Sequence, residues 1–179
     1  VNLWMPGTAP TGNYLTGVWG SSPSNLYAVS PWGYLYRYNG TAWASVSAPW
    51  INSLAGVWGT SASDIYAVGS GILHYDGTAW TTMASGTTQT LYGVWGASSR
   101  DVFAVGSAGT ILRYDGTAWS AMTSGTTRNL YGVWGTSRSD VYAVGDQGAM
   151  LHYNGTAWTA MTGAQTYWYP RSVWGTSGT

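Results

Sequence analysis

Cysteine, lysine and glutamate are absent from this chain, and phenylalanine occurs once. Without cysteine there is no disulfide framework and no thiolate metal site. All six basic residues are Arg and all six acidic residues are Asp, so the formal net charge is zero. A neutral chain with so few charges has no electrostatic footprint for a phosphate backbone or an anionic bilayer, which argues against nucleic acid as a partner. No apolar run approaches the roughly 20 residues that a membrane-spanning helix needs. Lacking Glu, the chain has no Glu pair for glycoside hydrolysis, and its Asp residues fall mainly in turns. No nucleophile elbow, phosphate-cradling loop or zinc-binding helix motif is present. These absences point away from catalysis, and nothing calls for a metal or another cofactor.

What is abundant is aromatic and small: 13 Trp, 14 Tyr and 26 Gly in 179 residues. They are not scattered. The Trp of "VWG" recurs as Trp19, Trp58, Trp95, Trp134 and Trp174, at spacings of 39, 37, 39 and 40. A second Trp, in "NGTAW" or "DGTAW", recurs as Trp43, Trp80, Trp119 and Trp158, and Trp4 lies 39 residues before the first of these. A period of this length is the mark of a repeat architecture.

One unit reads "LYGVWGTSRSDVYAVGDQGAMLHYNGTAWTAM" from Leu130. It holds four apolar runs, A "LYGVWG", B "DVYAVG", C "AMLHY" and D "TAWTAM", each of strand length and rich in Val, Tyr and Trp. The Asn-Gly or Asp-Gly between C and D predicts a tight hairpin of type I′, in which both turn residues take positive φ. Runs A and B are apolar on both faces, as in a sheet sandwiched between two neighbours. Four antiparallel strands repeated every 39 residues describe an all-β fold, a β-propeller of four-stranded blades. Gly and Ala in "GVWG" and "YAVG" suit its crowded inner region. Full blades are expected at about 14–46, 53–83, 90–122 and 129–161 within one domain spanning 1–179. A partial fifth blade would combine 1–6 with 168–176. Its missing strands leave an open edge through which copies of the chain could pair.

The order "VWG…DVYAVG…ILHYDGTAW" resembles the tectonin-type propeller repeats of secreted lectins and repeats found in large bacterial surface proteins. The "DGTAW" hairpin is similar to the Asp-box of sialidase-like propellers, although shorter and without that motif's spacing. The resemblance implies a secreted or cell-surface propeller that binds carbohydrate or protein. It carries over no binding residue.

Comparing the four copies separates constant positions from variable ones. At one place on run C the residue alternates between Arg and His: Arg37, His74, Arg113 and His152. Each precedes a Tyr (Tyr38, Tyr75, Tyr114, Tyr153), and the run-D Trp (Trp43, Trp80, Trp119, Trp158) follows five residues after that Tyr. A basic group beside Tyr and Trp suits a sugar site, the ring stacking on the C–H face while the cation donates to hydroxyls. Repeated in every blade, such sites would act by avidity. The alternative is that the cation fills space between blades and the Trp is core. Asp64, Asp101 and Asp140, with Asn25 in the first copy, are expected to cap the A–B turn through side-chain-to-backbone hydrogen bonds. The B–C and D–A connections vary most and open on one rim. They carry Trp32, Trp50, Gln89, Arg128, Asp146, Gln147, Tyr167 and Trp168, a second candidate surface for a protein or ligand.

Overall fold

The computed structural model describes residues 14–161 and 169–176. It contains four antiparallel sheets of four strands each, joined in chain order. The first holds β1 (Gly17–Ser22), β2 (Asn25–Val29), β3 (Leu35–Tyr38) and β4 (Trp43–Ser45). The second holds β5 (Leu54–Ser61), β6 (Asp64–Gly69), β7 (Ile72–Tyr75) and β8 (Trp80–Met83). The third holds β9 (Leu91–Ser98), β10 (Asp101–Gly106), β11 (Ile111–Tyr114) and β12 (Trp119–Met122). The fourth holds β13 (Leu130–Ser137), β14 (Asp140–Gly145), β15 (Ala149–Tyr153) and β16 (Trp158–Ala160). Each strand pairs with the next in sequence, so every sheet is a meander matching runs A to D.

The first strands of neighbouring sheets lie side by side and leave no room for a side chain. A Cβ on Gly56 would sit 3.0 Å from the Tyr92 carbonyl oxygen, and one on Gly93 would sit 2.6 Å from that of Tyr131. The same contact continues past the fourth sheet, where Gly132 faces the backbone of Ser172. The second Gly of "GVWG" serves the same packing at the other end of the strand. The Trp19, Trp58, Trp95 and Trp134 rings lie against Gly59, Gly96, Gly135 and Gly175 of the next repeat. The C-terminal run around Trp174 therefore packs where the first strand of a fifth sheet would. No strand is assigned there among the described residues. The other part expected of that sheet, 1–6, and residue 168 lie outside the described residues.

The hydrophobic cores lie between sheets. One joins the first and second sheets through Tyr27, Val29, Leu54, Ile65 and Trp80. A second joins the second and third through Tyr66, Val68, Val102 and Trp119. A third joins the third and fourth through Phe103, Val105, Val141 and Trp158. In each, the β2-type aromatic of one sheet meets the Tyr and Trp of the following sheet. Tyr27 packs on Tyr75 and Trp80, Tyr66 on Tyr114 and Trp119, and Phe103 on Tyr153 and Trp158, with ring centroids 5.8–6.5 Å apart. Burial on both faces accounts for the non-alternating pattern of β6 and β10, which are buried at five of six positions.

The C–D hairpins differ from the type I′ turn expected of Asn-Gly and Asp-Gly. Tyr75 pairs with Trp80, so four residues form the loop. Gly77 has φ +93°, but Asp76 is not in the left-handed region. Instead, Asp76 Oδ1 accepts hydrogen bonds from the N–H groups of Thr78 (2.8 Å) and Ala79 (2.9 Å). Asn39, Asp115 and Asn154 do the same in the other sheets. The side-chain oxygen organises the loop, which is why Asn and Asp interchange there.

Candidate functional site

The Arg/His position of run C has a fixed partner in its own sheet. His74 Nε2 and His152 Nε2 each lie 2.7 Å from Oδ1 of Asp64 and Asp140. Arg113 pairs with Asp101, and Arg37 Nε donates to Asn25 Oδ1 at 2.8 Å. The Asp and Asn expected as backbone caps thus act chiefly through side chains. Asp64 and Asp140 also accept from Thr60 and Thr136 hydroxyls at 2.5 Å, and Asn25 donates to Ser21 Oγ at 2.8 Å. These bonds hold the Asp140 carboxyl below the usual carboxylate range, Thr136 contributing most and His152 next.

The Arg or His side chain also packs on the aromatic beside it on the second strand. His74 stacks on Tyr66 with centroids 4.4 Å apart and His152 on Tyr142 at 4.6 Å. Arg37 and Arg113 lie over Tyr27 and Phe103. Successive residues of a strand point to opposite faces, so Arg37 does not face its neighbour Tyr38. Tyr38 and Trp43 pack on each other on the opposite side of the first sheet. The structure regroups the candidate residues across the sheet boundary: the aromatics under Arg37, His74 and Arg113 pack on the Tyr and Trp of the following repeat.

The first such grouping forms an open groove. Arg37, Tyr27, Tyr75 and Trp80 line a cavity of about 810 Å³, with Asn39, Ser45, Val46, Ser47 and Thr78 around it. One residue just past the outer strand differs there. Val46 stands where the later repeats have Met83 and Met122. Trp119 Nε1–H donates to Met83 Sδ at 3.5 Å, and Met122 packs on the core containing Trp158. The longer thioether side chains fill the two later junctions, and the shorter Val leaves the first one open. Electrostatics single out the same place. Arg37 is exposed and is paired with neutral Asn25, while Arg113 is paired with a carboxylate.

The variable rim is stitched together by its backbone. N–H groups of Ser70, Ser107 and Asp146 donate to carbonyls of Ser53, Thr90 and Asn129, joining B–C turns to D–A connections. Gln89 and Arg128 are exposed on this rim, and an Arg128 amino group donates to the Gln147 carbonyl at 3.1 Å. Asp146 Oδ2 accepts from Asn129 Nδ2 and Tyr131 Oη, both at 3.0 Å. Trp32 and Trp50 belong to an aromatic patch that also includes Tyr14 and Tyr34. Their exposures are 43%, 65%, 77% and 43%. Tyr34 stands where the other repeats have Gly71, Thr110 and Ala149, a divergence visible in the internal alignment. Tyr167 and Trp168 lie outside the described residues.

The six Asp residues are all engaged within the protein: two in hairpin loops, three at the Arg/His pairs, and Asp146 on the rim. Among the described residues no group of three or more His, Cys, Asp or Glu is arranged to hold a metal ion. No helix among them is long and apolar enough to cross a membrane.

No protein-family model and no curated protein matches this sequence. Solved structures do match its fold. YCF48 bound to a D1 peptide superposes with a TM-score of 0.61 at 15% identity, over 89% of this chain and 55% of that one. An ancestral GH74 enzyme superposes at 0.69 and 16% identity, over 85% of this chain and 24% of the enzyme. The extracellular domain of a hybrid two component system from B. thetaiotaomicron gives 0.65 and 12%, over 84% of this chain and 25% of that domain. This chain spans a little over half of the first structure and about a quarter of the other two. At such identities the likeness is one of fold, and the fold is a β-propeller of repeated four-stranded antiparallel sheets.

Proposed function

We propose that this chain is a non-enzymatic recognition module of a secreted or surface-displayed protein, and that the groove between its first two sheets takes a saccharide. The observation that carries the reading is the convergence of Arg37, Tyr27, Tyr75 and Trp80 on one open groove of about 810 Å³. Rings offer faces to sugar C–H groups. The guanidinium, engaged at Nε by a neutral partner, keeps its terminal amino groups for hydroxyls. The repeat still has a part in this reading, since it builds the same frame at each junction. Methionine filling and aspartate pairing reserve binding for the first, so one site per chain is expected in place of one per blade. Titration against a glycan panel, followed by Trp fluorescence, tests this. A saturable response with one site per chain, lost in Arg37→Ala, is expected. A panel without any response, or a response that Arg37→Ala leaves intact, would sink the saccharide reading.

A second reading, contact with a protein partner, is favoured by the exposed patch of Tyr14, Trp32, Tyr34 and Trp50. An apolar patch on a rim is a common protein-docking feature, and a neighbour of the same fold is bound to a peptide. Self-assembly through the open edge of the incomplete fifth blade belongs to the same class. Sedimentation across a concentration series, with and without Trp32→Ala and Trp50→Ala, separates patch-driven from edge-driven association.

A further inference from the structure

The position three residues before each "VWG" Trp follows no rule across the repeats: Thr16, Ala55, Tyr92, Tyr131 and Arg171. All five line one cavity of about 190 Å³, together with Gly17, Gly56, Gly93 and Gly132 of the innermost strands. This is where the first strands of successive sheets converge, at the end that opens on the variable rim. A backbone position that needs Gly for packing is followed, in space, by one where the repeat tolerates any residue.

Three of these side chains form a built cluster. The Tyr92 and Tyr131 rings are in contact, with centroids 5.1 Å apart. The Arg171 guanidinium lies over the Tyr131 ring at 4.1 Å from its centroid. Each phenol is held from behind: Ser107 Oγ donates to Tyr92 Oη at 2.9 Å, and Tyr131 Oη donates to Asp146 Oδ2 at 3.0 Å. Tyr92 Oη therefore keeps its own proton to donate. Arg171 is exposed, and among the described residues no carboxylate pairs with it. Asp101, Asp64 and Asp140 are committed to Arg113, His74 and His152. Asp146 is engaged by Asn129 and Tyr131.

We propose that this convergence point is an anion site selective for a carboxylate, held by Arg171 with Tyr92 Oη as a second donor. The planar guanidinium fork matches a carboxylate in two-point contact. The volume admits a carboxylate with a few attached atoms, such as a peptide C-terminus or a small dicarboxylic acid. This site is separate from the saccharide groove and does not depend on it.

The test is calorimetric and NMR titration of the full chain with three probes: a hexapeptide with a free C-terminal carboxylate, the same peptide amidated, and succinate. The free-acid peptide is expected to bind and the amide to lose at least about tenfold in affinity. Binding of succinate as well assigns the site to small free acids; binding of the peptide alone assigns it to chain termini. Arg171→Met is expected to weaken the acid probe about tenfold or more, and Tyr92→Phe to weaken it less. Arg171 is exposed, so an unchanged thermal midpoint shows that Arg171→Met still folds, and Arg37→Ala should leave this binding untouched. The proposal is overturned if the amide binds as well as the acid, if Arg171→Met binds normally, or if neither acid probe binds.

Discussion

Asp76 and Asp115 hold their hairpins through carboxylate oxygens that accept backbone N–H groups, and this has a pH signature. Hydrogen bonds from Ala79 and Thr78, and from Ala118 and Thr117, keep both carboxyls below the usual range. A depressed folded-state value stabilises the fold fully above the unfolded carboxylate value of about 4, and the contribution disappears as pH falls through the lower folded value. Asp140 adds to the same window. The first and fourth sheets use Asn39 and Asn154 at the equivalent place, where no proton is taken up. The double variant Asp76→Asn, Asp115→Asn should therefore match the parent in urea denaturation at pH 7 and lose less stability below pH 4. An identical acid profile for both proteins would contradict the assignment. The adjacent Gly is constrained for a different reason. Gly77 has φ +93°, and a Cβ there would lie 2.8 Å from Cβ of Ser63. Gly77→Ala should cost about 1–2 kcal/mol in equilibrium unfolding.

At the scale of strands, the outermost strand of each sheet decides whether the junction beside it is open. Val46 and Met83 occupy equivalent places, and Met83 Sδ accepts from the indole N–H of Trp119 in the following sheet. Val46→Met should close the first groove, abolishing the saccharide response while leaving the thermal midpoint equal or higher. Retained binding would show that the groove is not the site. The second strand carries the junction itself. Phe103 is fully buried and packs on Tyr153 and Trp158 of the next sheet. Phe103→Ala should cost about 3–5 kcal/mol, read from chemical denaturation, through lost burial and the cavity left behind. The Arg113 guanidinium lies over the same ring.

Across the whole molecule, stability follows from sheets that touch only their neighbours. The second and third sheets are covered on both faces by other sheets, while the first and fourth have one such neighbour among the described residues. A nearest-neighbour array of this kind protects its middle best. Native-state hydrogen exchange should be slowest in β6 and β10, faster in β2 and β14, and fastest in the outer strands β4 and β16. Uniform protection of all four sheets would contradict this ordering. The order of strands and the hairpin positions were readable from the recurrence of "VWG" and "GTAW", whereas the first strands run longer and the fourth strands shorter than their apolar runs. The type I′ turn was not the outcome, because a side-chain oxygen can replace the left-handed residue that Asn-Gly usually supplies. The aromatic patch was partly legible: Trp32 and Trp50 stand out as variable residues and Tyr34 departs from its counterparts too, but its contact with Trp50 is what makes it part of the patch.

The linear order of residues determined the repeat, the four-stranded sheet and the both-faces-buried pattern, since these depend on local periodicity and on turns within about 40 residues. Tertiary structure alone decided which residues share a site. Arg37 meets Tyr75 and Trp80 because two separate sheets pack face to face. That contact is set by how side chains of different repeats fill common space. Equal letters in equal positions therefore acquire unequal roles. A Val in place of a Met opens one junction, and a neutral Asn in place of an Asp leaves one arginine without a balancing charge.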